Sequence, residues 1–94
     1  MYVDVFDRQL KVYNGLSPND DGSNDVLYVE NIEYFPGNKI IIFNRWGNKV
    51  FEKEGYRNNW DGHYQGRMLP DGTYFYLLED GKGKTYTGYL QILR

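Results

Sequence analysis

The sequence predicts an all-β domain, a two-sheet antiparallel β-sandwich of about seven strands, and three observations point there. Tyrosine and glycine are abundant, at 10 and 11 of 94 residues, while alanine, the strongest helix former, is absent. Apolar and polar residues alternate in short runs, with the two-residue period of a strand that buries one face. Turn formers such as Asn-Gly, Pro-Asp-Gly and Gly-Lys-Gly separate these runs at short intervals. A chain of this length closes one core and little more, so residues 1–94 are expected to form a single domain.

Each element follows in order. Residues 3–6 and 10–13 are short β-compatible runs, and Asn14-Gly15 can supply a turn with positive φ. A polar loop, residues 17–25, separates these from the run 26–29. Residues 31–35 admit a helical turn but do not require one. Pro36-Gly37-Asn38 turns the chain into residues 39–45, the most strongly patterned strand, and Gly47-Asn48 turns it back into 49–53. The chain then reads as irregular as far as Gly66. Pro70-Asp71-Gly72 opens a strand over 73–79, and Asp80-Gly81-Lys82-Gly83 joins it to 84–93 as a second hairpin. The number and close spacing of these runs favour an Ig-like sandwich over a barrel.

Composition excludes several chemistries. With no cysteine there is no disulfide, thiolate metal site or cysteine nucleophile. His63 is the one histidine, so no site can draw on several histidines of this chain. A net charge of −2 offers no basic field to nucleic acid or anionic lipid. The longest aliphatic stretch, Ile40-Ile41-Ile42-Phe43, falls far short of the ~20 apolar residues of a membrane-spanning helix. Met1-Tyr2-Val3-Asp4 lacks the basic start and apolar core of a secretory signal. The chain is then either cytoplasmic or a piece whose export information lies elsewhere.

Three places could carry chemistry. In the acidic loop Asn19, Asp21, Ser23 and Asp25 set oxygen-bearing side chains at two-residue spacing around Gly22, as calcium loops do. No glutamate follows at the twelfth position, and the same side chains can close Asx turns on their own backbone. Both readings stay open, and calcium is the one cofactor the residues suggest. In Trp60-Asp61-Gly62 the carboxylate stands two residues from His63, so an acid–base pair is conceivable. Catalysis would also need a nucleophile or metal and a pocket, and no motif supplies them. The structural reading puts Trp60 between the sheets, Asp61 on turn amides, Gly62 at positive φ and His63 at the surface.

The aromatic residues Tyr74, Phe75, Tyr76, Tyr86 and Tyr89 are the third place. Alternation sends Tyr74 and Tyr76 to one face and Phe75 and Leu77 to the other. Exposed, such rings could stack on sugars; buried, they fill a small core. By the same alternation Ile40, Ile42 and Asn44 share one face, and Ile41, Phe43 and Arg45 the other.

Three motifs in a fixed order carry a resemblance. Leu16-Ser17-Pro18-Asn19-Asp20-Asp21-Gly22-Ser23-Asn24-Asp25 resembles a "TPNGDGxND" opening, and Ile42-Phe43-Asn44-Arg45-Trp46-Gly47 an "IFNRWG" strand and turn. Trp60-Asp61-Gly62, Pro70-Asp71-Gly72-Thr73-Tyr74-Phe75-Tyr76 and residues 88–94 resemble the closing segments of the same pattern. The family is the gliding motility-associated C-terminal domain of Bacteroidetes secreted proteins, the type B sorting domain of the type IX secretion system. The resemblance covers about residues 12–94. The chain departs from it at Asp20, where the family has Gly, and Asp tolerates the left-handed region better than most residues.

The resemblance implies a non-catalytic address. A cargo protein would lie N-terminal in the same parent chain, cross the inner membrane by its own signal peptide, and leave through the outer-membrane translocon. A dedicated outer-membrane partner protein would read the folded domain, and the parent would be secreted or held at the cell surface. Met1 is then expected to be a start added when the domain was separated from its parent.

Because the motifs are spread along the chain, such a partner would read a folded surface. The candidates for partner recognition are Asn44, Arg45, Trp46, Tyr89 and Arg94. Arg45 is either a planar donor that staples neighbouring carbonyls or carboxylates, or the presented group itself. Structural roles are expected for Pro18, Asn19, Asp21, Gly22, Asp25, Gly47, Trp60, Asp61, Gly62, Gly72 and Tyr74. The alternative function is a calcium-stabilised carbohydrate-binding or adhesive sandwich of a surface protein.

Overall fold

The computed structural model describes residues 9–17 and 25–93. Nine strands form among them: β1 (Lys11–Tyr13), β2 (Gly15–Leu16), β3 (Tyr28–Glu30), β4 (Lys39–Phe43), β5 (Lys49–Glu54), β6 (His63–Tyr64), β7 (Arg67–Met68), β8 (Gly72–Glu79) and β9 (Thr85–Ile92). A five-stranded sheet has the order β2-β9-β8-β4-β5, β1 pairs with β3 in a second sheet, and β6 pairs with β7 in a third. The count exceeds the expected seven because β2, β6 and β7 are only two residues long. The expected run at residues 3–6 lies outside the described residues.

Alternation builds the core. Ile40 and Ile42 of β4 point inward and are fully buried, as are Leu78 of β8 and Leu90 and Ile92 of β9. Register puts Ile40 opposite Leu78 and Ile42 opposite Tyr76, so one continuous apolar face results. Leu27 and Val29 cover it from the β1–β3 side and are also fully buried. Each such aliphatic side chain contributes ~1.5–3 kcal/mol on burial.

Both long hairpins close by the same device. Asn44, one residue past β4, accepts on Oδ1 the amides of Trp46 (3.0 Å) and Asn48 (2.9 Å). Asp80, one residue past β8, accepts on Oδ1 the amides of Lys82 (2.6 Å) and Lys84 (3.0 Å). A short acceptor two and four residues before the donors holds an otherwise unpaired loop backbone in one shape. Gly81 is required in the second loop: it has φ +81°, and an added Cβ would lie 2.5 Å from the Gly37 carbonyl oxygen.

Three expectations need correction. Asn14-Gly15 is not a positive-φ turn, since Gly15 is not among the positive-φ glycines and runs into β2. There it pairs parallel to β9, with Gly15 opposite Gln91, so the sandwich is not wholly antiparallel. The stretch read as irregular contains the β6–β7 hairpin, whose loop residues Gln65 (φ 53°) and Gly66 (φ 79°) both adopt positive φ. Two positive φ values in a two-residue loop match the twist of the flanking strands, and glutamine is not a residue that signals them. At 31–35 the chain forms a single 3-10 turn, Ile32–Tyr34.

Residues 55–60 tie the two sheets together through polar groups inside the core. Asn38, 1% exposed, receives the Tyr56 amide on Oδ1 at 2.9 Å and donates Nδ2 to the carbonyls of Phe35 (2.8 Å) and Tyr56 (3.3 Å). The buried Tyr56 hydroxyl donates to the Leu27 carbonyl (2.6 Å) and accepts from the Trp60 amide (3.1 Å). Asn58, held at φ 61°, accepts the Val29 amide (2.8 Å) and donates to the Val29 carbonyl (3.3 Å). Leu27 then donates its amide to the Trp60 carbonyl at 2.9 Å. Trp60 stacks on Phe51, with ring centroids 4.8 Å apart and planes 20° apart.

These ties generate two predictions. Asn38→Ala strands a buried amide and leaves two carbonyls short of a donor, so it is expected to cost about 2–4 kcal/mol. The loss should appear as a lower urea midpoint with an unchanged slope. Burial pushes the Tyr56 phenol well above the ordinary tyrosine range. The unfolded chain ionises near pH ~10, so this residue's contribution is complete below that pH and is lost as pH rises toward the folded value. Stability measured by urea titration should therefore fall above pH ~10, and more shallowly in Tyr56→Phe than in the unchanged chain.

Candidate partner-recognition surface

The loop after β4 sets Arg45 and Trp46 out in solvent. Asn44 gives its carboxamide oxygen to the two loop amides. Gly47 (φ 83°) lets the chain return. Trp46 is 71% exposed, and the Arg45 guanidinium carbon lies 4.5 Å from the centre of its indole. Among the described residues Arg45 staples no carbonyl or carboxylate; its guanidinium lies over the adjacent ring.

Opposite this loop stands the chain leading into β8. Residues 44–46 and 70–74 line a groove of about 290 Å³ between them. Tyr74 is buried, and its hydroxyl donates to the Pro70 carbonyl at 2.7 Å, which fixes that wall. Gly72 begins the strand with φ 148°. A buried Tyr74 is a core ring and offers no stacking platform for a sugar.

Tyr89 joins the same region through register. Phe43, Phe75 and Tyr89 are directly opposite one another on β4, β8 and β9, on the outer face of the five-stranded sheet. Phe75 is 44% and Tyr89 49% exposed. Ile41, Leu77 and Thr87 form the next row. The far end and the β5 edge of this face are charged: Glu52, opposite Ile41, binds Lys39 (2.9 Å) and Lys49 (2.7 Å), Lys49 stands opposite Phe43, and Glu54 and Glu79 stand opposite Lys39. Hydrogen bonds from Lys49 and Lys39 hold the Glu52 carboxyl below its ordinary range, and the bond to Glu52 raises the Lys39 ammonium.

The other candidates separate from this surface. Trp60 is buried and donates Nε1 to the His63 carbonyl at 2.8 Å; Gly62 takes φ 89°. Asp61, expected on turn amides, instead sets Oδ1 2.8 Å from Nδ1 of His63. Both side chains are about half exposed, so water screens the pair as it does any surface contact. Pro18, Asn19, Asp21, Gly22 and Ser23 lie outside the described residues, and so does Arg94. Asp25 is partly buried and engaged. Among the described residues no group of three or more His, Asp or Glu is placed to hold a metal ion. No described helix is long and apolar enough to cross a membrane.

Sequence reasoning missed Phe43 as a member of the surface, weighed Phe75 only as a ring for sugars or for the core, and missed Asn38, Tyr56 and Asn58 as its support. Alternation put Phe43 with Ile41 and Arg45, and Phe75 with Leu77, on one face of their strands without saying which face was outward. The register that lines them up with Tyr89 depends on pairing between strands and has no local signal.

The exposure of the two tryptophans makes the surface testable by fluorescence. Acrylamide should quench one red-shifted population and spare a blue-shifted one. Trp46→Phe is expected to remove the accessible population and to change stability by no more than about 0.5 kcal/mol. Loss of the shielded population instead would contradict the assignment.

Comparison with known proteins places these residues in one family. The model for the CHU_C type IX secretion signal domain matches residues 10–92, which contain every strand from β1 to β9. No curated protein matches the chain. The chain belongs to the type IX secretion signal domain family, and it is a sorting signal through which a secretion system exports cargo of the same parent chain to the cell surface or beyond.

Proposed function

We propose that the domain acts without catalysis, as a folded address read at the outer membrane. After the cargo has reached the periplasm, the domain presents its surface to a dedicated outer-membrane partner protein and, through it, to the type IX translocon. The observation that carries this reading is the gathering of separated motif residues on one surface. Arg45 and Trp46 line one groove with residues 70–74, and Tyr89 lies two strands from Phe43 in one row, a grouping that exists only in the folded state. A receptor for that surface distinguishes a folded domain from an unfolded chain. The exposed Asp61–His63 pair, lying on open surface, supports a role without chemistry.

The test is a transplant. Residues 1–94 are fused behind a signal peptide and a fluorescent reporter and expressed in a host with the cognate machinery. The reporter is expected outside the cell. A folded fusion retained in the periplasm, with the partner protein present, would contradict the proposal.

A further inference from the structure

The outer face of the five-stranded sheet is divided in two. At one end, and along the β5 edge as far as Lys49 opposite Phe43, the charges of Lys39 and Lys49 are answered within the chain by Glu52. Toward the other end Phe43, Phe75 and Tyr89 form a row across β4, β8 and β9, and Arg45, two residues past Phe43, lies over the Trp46 ring and has no hydrogen bond or ion pair among the described residues. We propose that this end is a docking surface for an acidic segment of a partner protein, in which an Asp or Glu carboxylate pairs with Arg45 and flanking apolar side chains lie on the Phe43–Phe75–Tyr89 row. The identity of that partner as export machinery rests on the sorting reading; the chemistry of the surface does not.

Four physical points carry the assignment. The Arg45 guanidinium lies over the Trp46 ring with no hydrogen bond or ion pair on its N–H donors among the described residues, and a planar fork of donors matches a carboxylate in a two-bond geometry. The loop that presents the pair is held by Asn44, so little ordering is needed on binding. Aromatic rings and arginine held in one exposed patch are the residue types that dominate protein interfaces. The groove admits one or two side chains at about 290 Å³. Asp71 on its far wall is already engaged and disfavours a second anion deep inside. The carboxylate therefore meets Arg45 at the mouth, and the groove takes an apolar side chain.

A lipid surface fits less well. Glu52, Glu54 and Glu79 lie on the same face, and the chain carries a net charge of −2, so anionic headgroups would be repelled. A protein segment can place one carboxylate against Arg45 and keep clear of the acidic end.

The test uses the reporter fusion in the cognate host. Arg45→Gln and Arg45→Glu are expected to lower export at least about tenfold, with Arg45→Lys between them and the unchanged chain, because an ammonium keeps the charge and loses the fork. Melting temperatures should stay near that of the unchanged chain. A photo-crosslinking amino acid at position 46 of the otherwise unchanged domain should capture a partner segment that contains Asp or Glu. Replacing that acid by Arg should restore export of Arg45→Glu. Full export of Arg45→Glu, a captured segment without an acid, or no rescue by the charge swap would each overturn the proposal. Failure of the unchanged fusion to leave the cell would overturn the sorting reading instead.

Discussion

The fold depends on a set of hydrogen bonds inside its core, made by Asn38, Tyr56 and Asn58. The second sheet consists of β1 and β3, each three residues long, and a two-stranded ribbon of that size is not stable alone in water. On the side of β3 away from β1, the amides of Leu27 and Val29 find their partners in Trp60 and Asn58. Residues 55–60 therefore complete the sheet without being a strand. Asn38, at the entrance to β4, anchors the same residues to the larger sheet. A buried polar network is tolerable when every member is satisfied, and among the described residues no buried side-chain nitrogen or oxygen lacks a partner.

That constraint orients the recognition surface. Asn38 fixes where β4 begins, and five residues later β4 ends at the loop carrying Arg45 and Trp46. Trp60 and Tyr56 fill the space beneath β5 through Phe51, at 4.8 and 6.2 Å between ring centroids. With the inner face so occupied, the outer face carries the remaining chemistry. The edge strand β5 bears Lys49, Glu52, Lys53 and Glu54, charges that discourage pairing with another sheet at that edge. Phe75 and Tyr89, on the strands beyond β4, have no such charge opposite them, which suits a surface meant to be covered.

Much of this was legible in the sequence, for local reasons. The hairpin over β4 and β5 follows from Ile and Phe alternating between Asn-rich turns, and the hairpin over β8 and β9 from Asp80 and two glycines in its loop. The shared face of Ile41, Phe43 and Arg45 and the burial of Trp60 were legible in the same way. The ties to β3 were not legible: Asn58 stands in a polar stretch, and its bonds to Val29 span 29 residues. Gly15 read as a turn because nothing local shows that β9 is waiting to pair with it. Asp61 read as a turn acceptor because a neighbouring ring nitrogen competes for the same oxygen, and sequence does not rank the two.

Native-state hydrogen exchange tests the central claim most directly. If residues 55–60 hold the two sheets together, the amides of Val29, Tyr56 and Trp60 should open only with the whole fold. They should then share the exchange free energy of Leu78 and Leu90 in the sheet core. Fast exchange at Tyr56 and Trp60, with Leu78 and Leu90 still protected, would show the segment to be a loop lying on an already stable sandwich. That result would contradict the account.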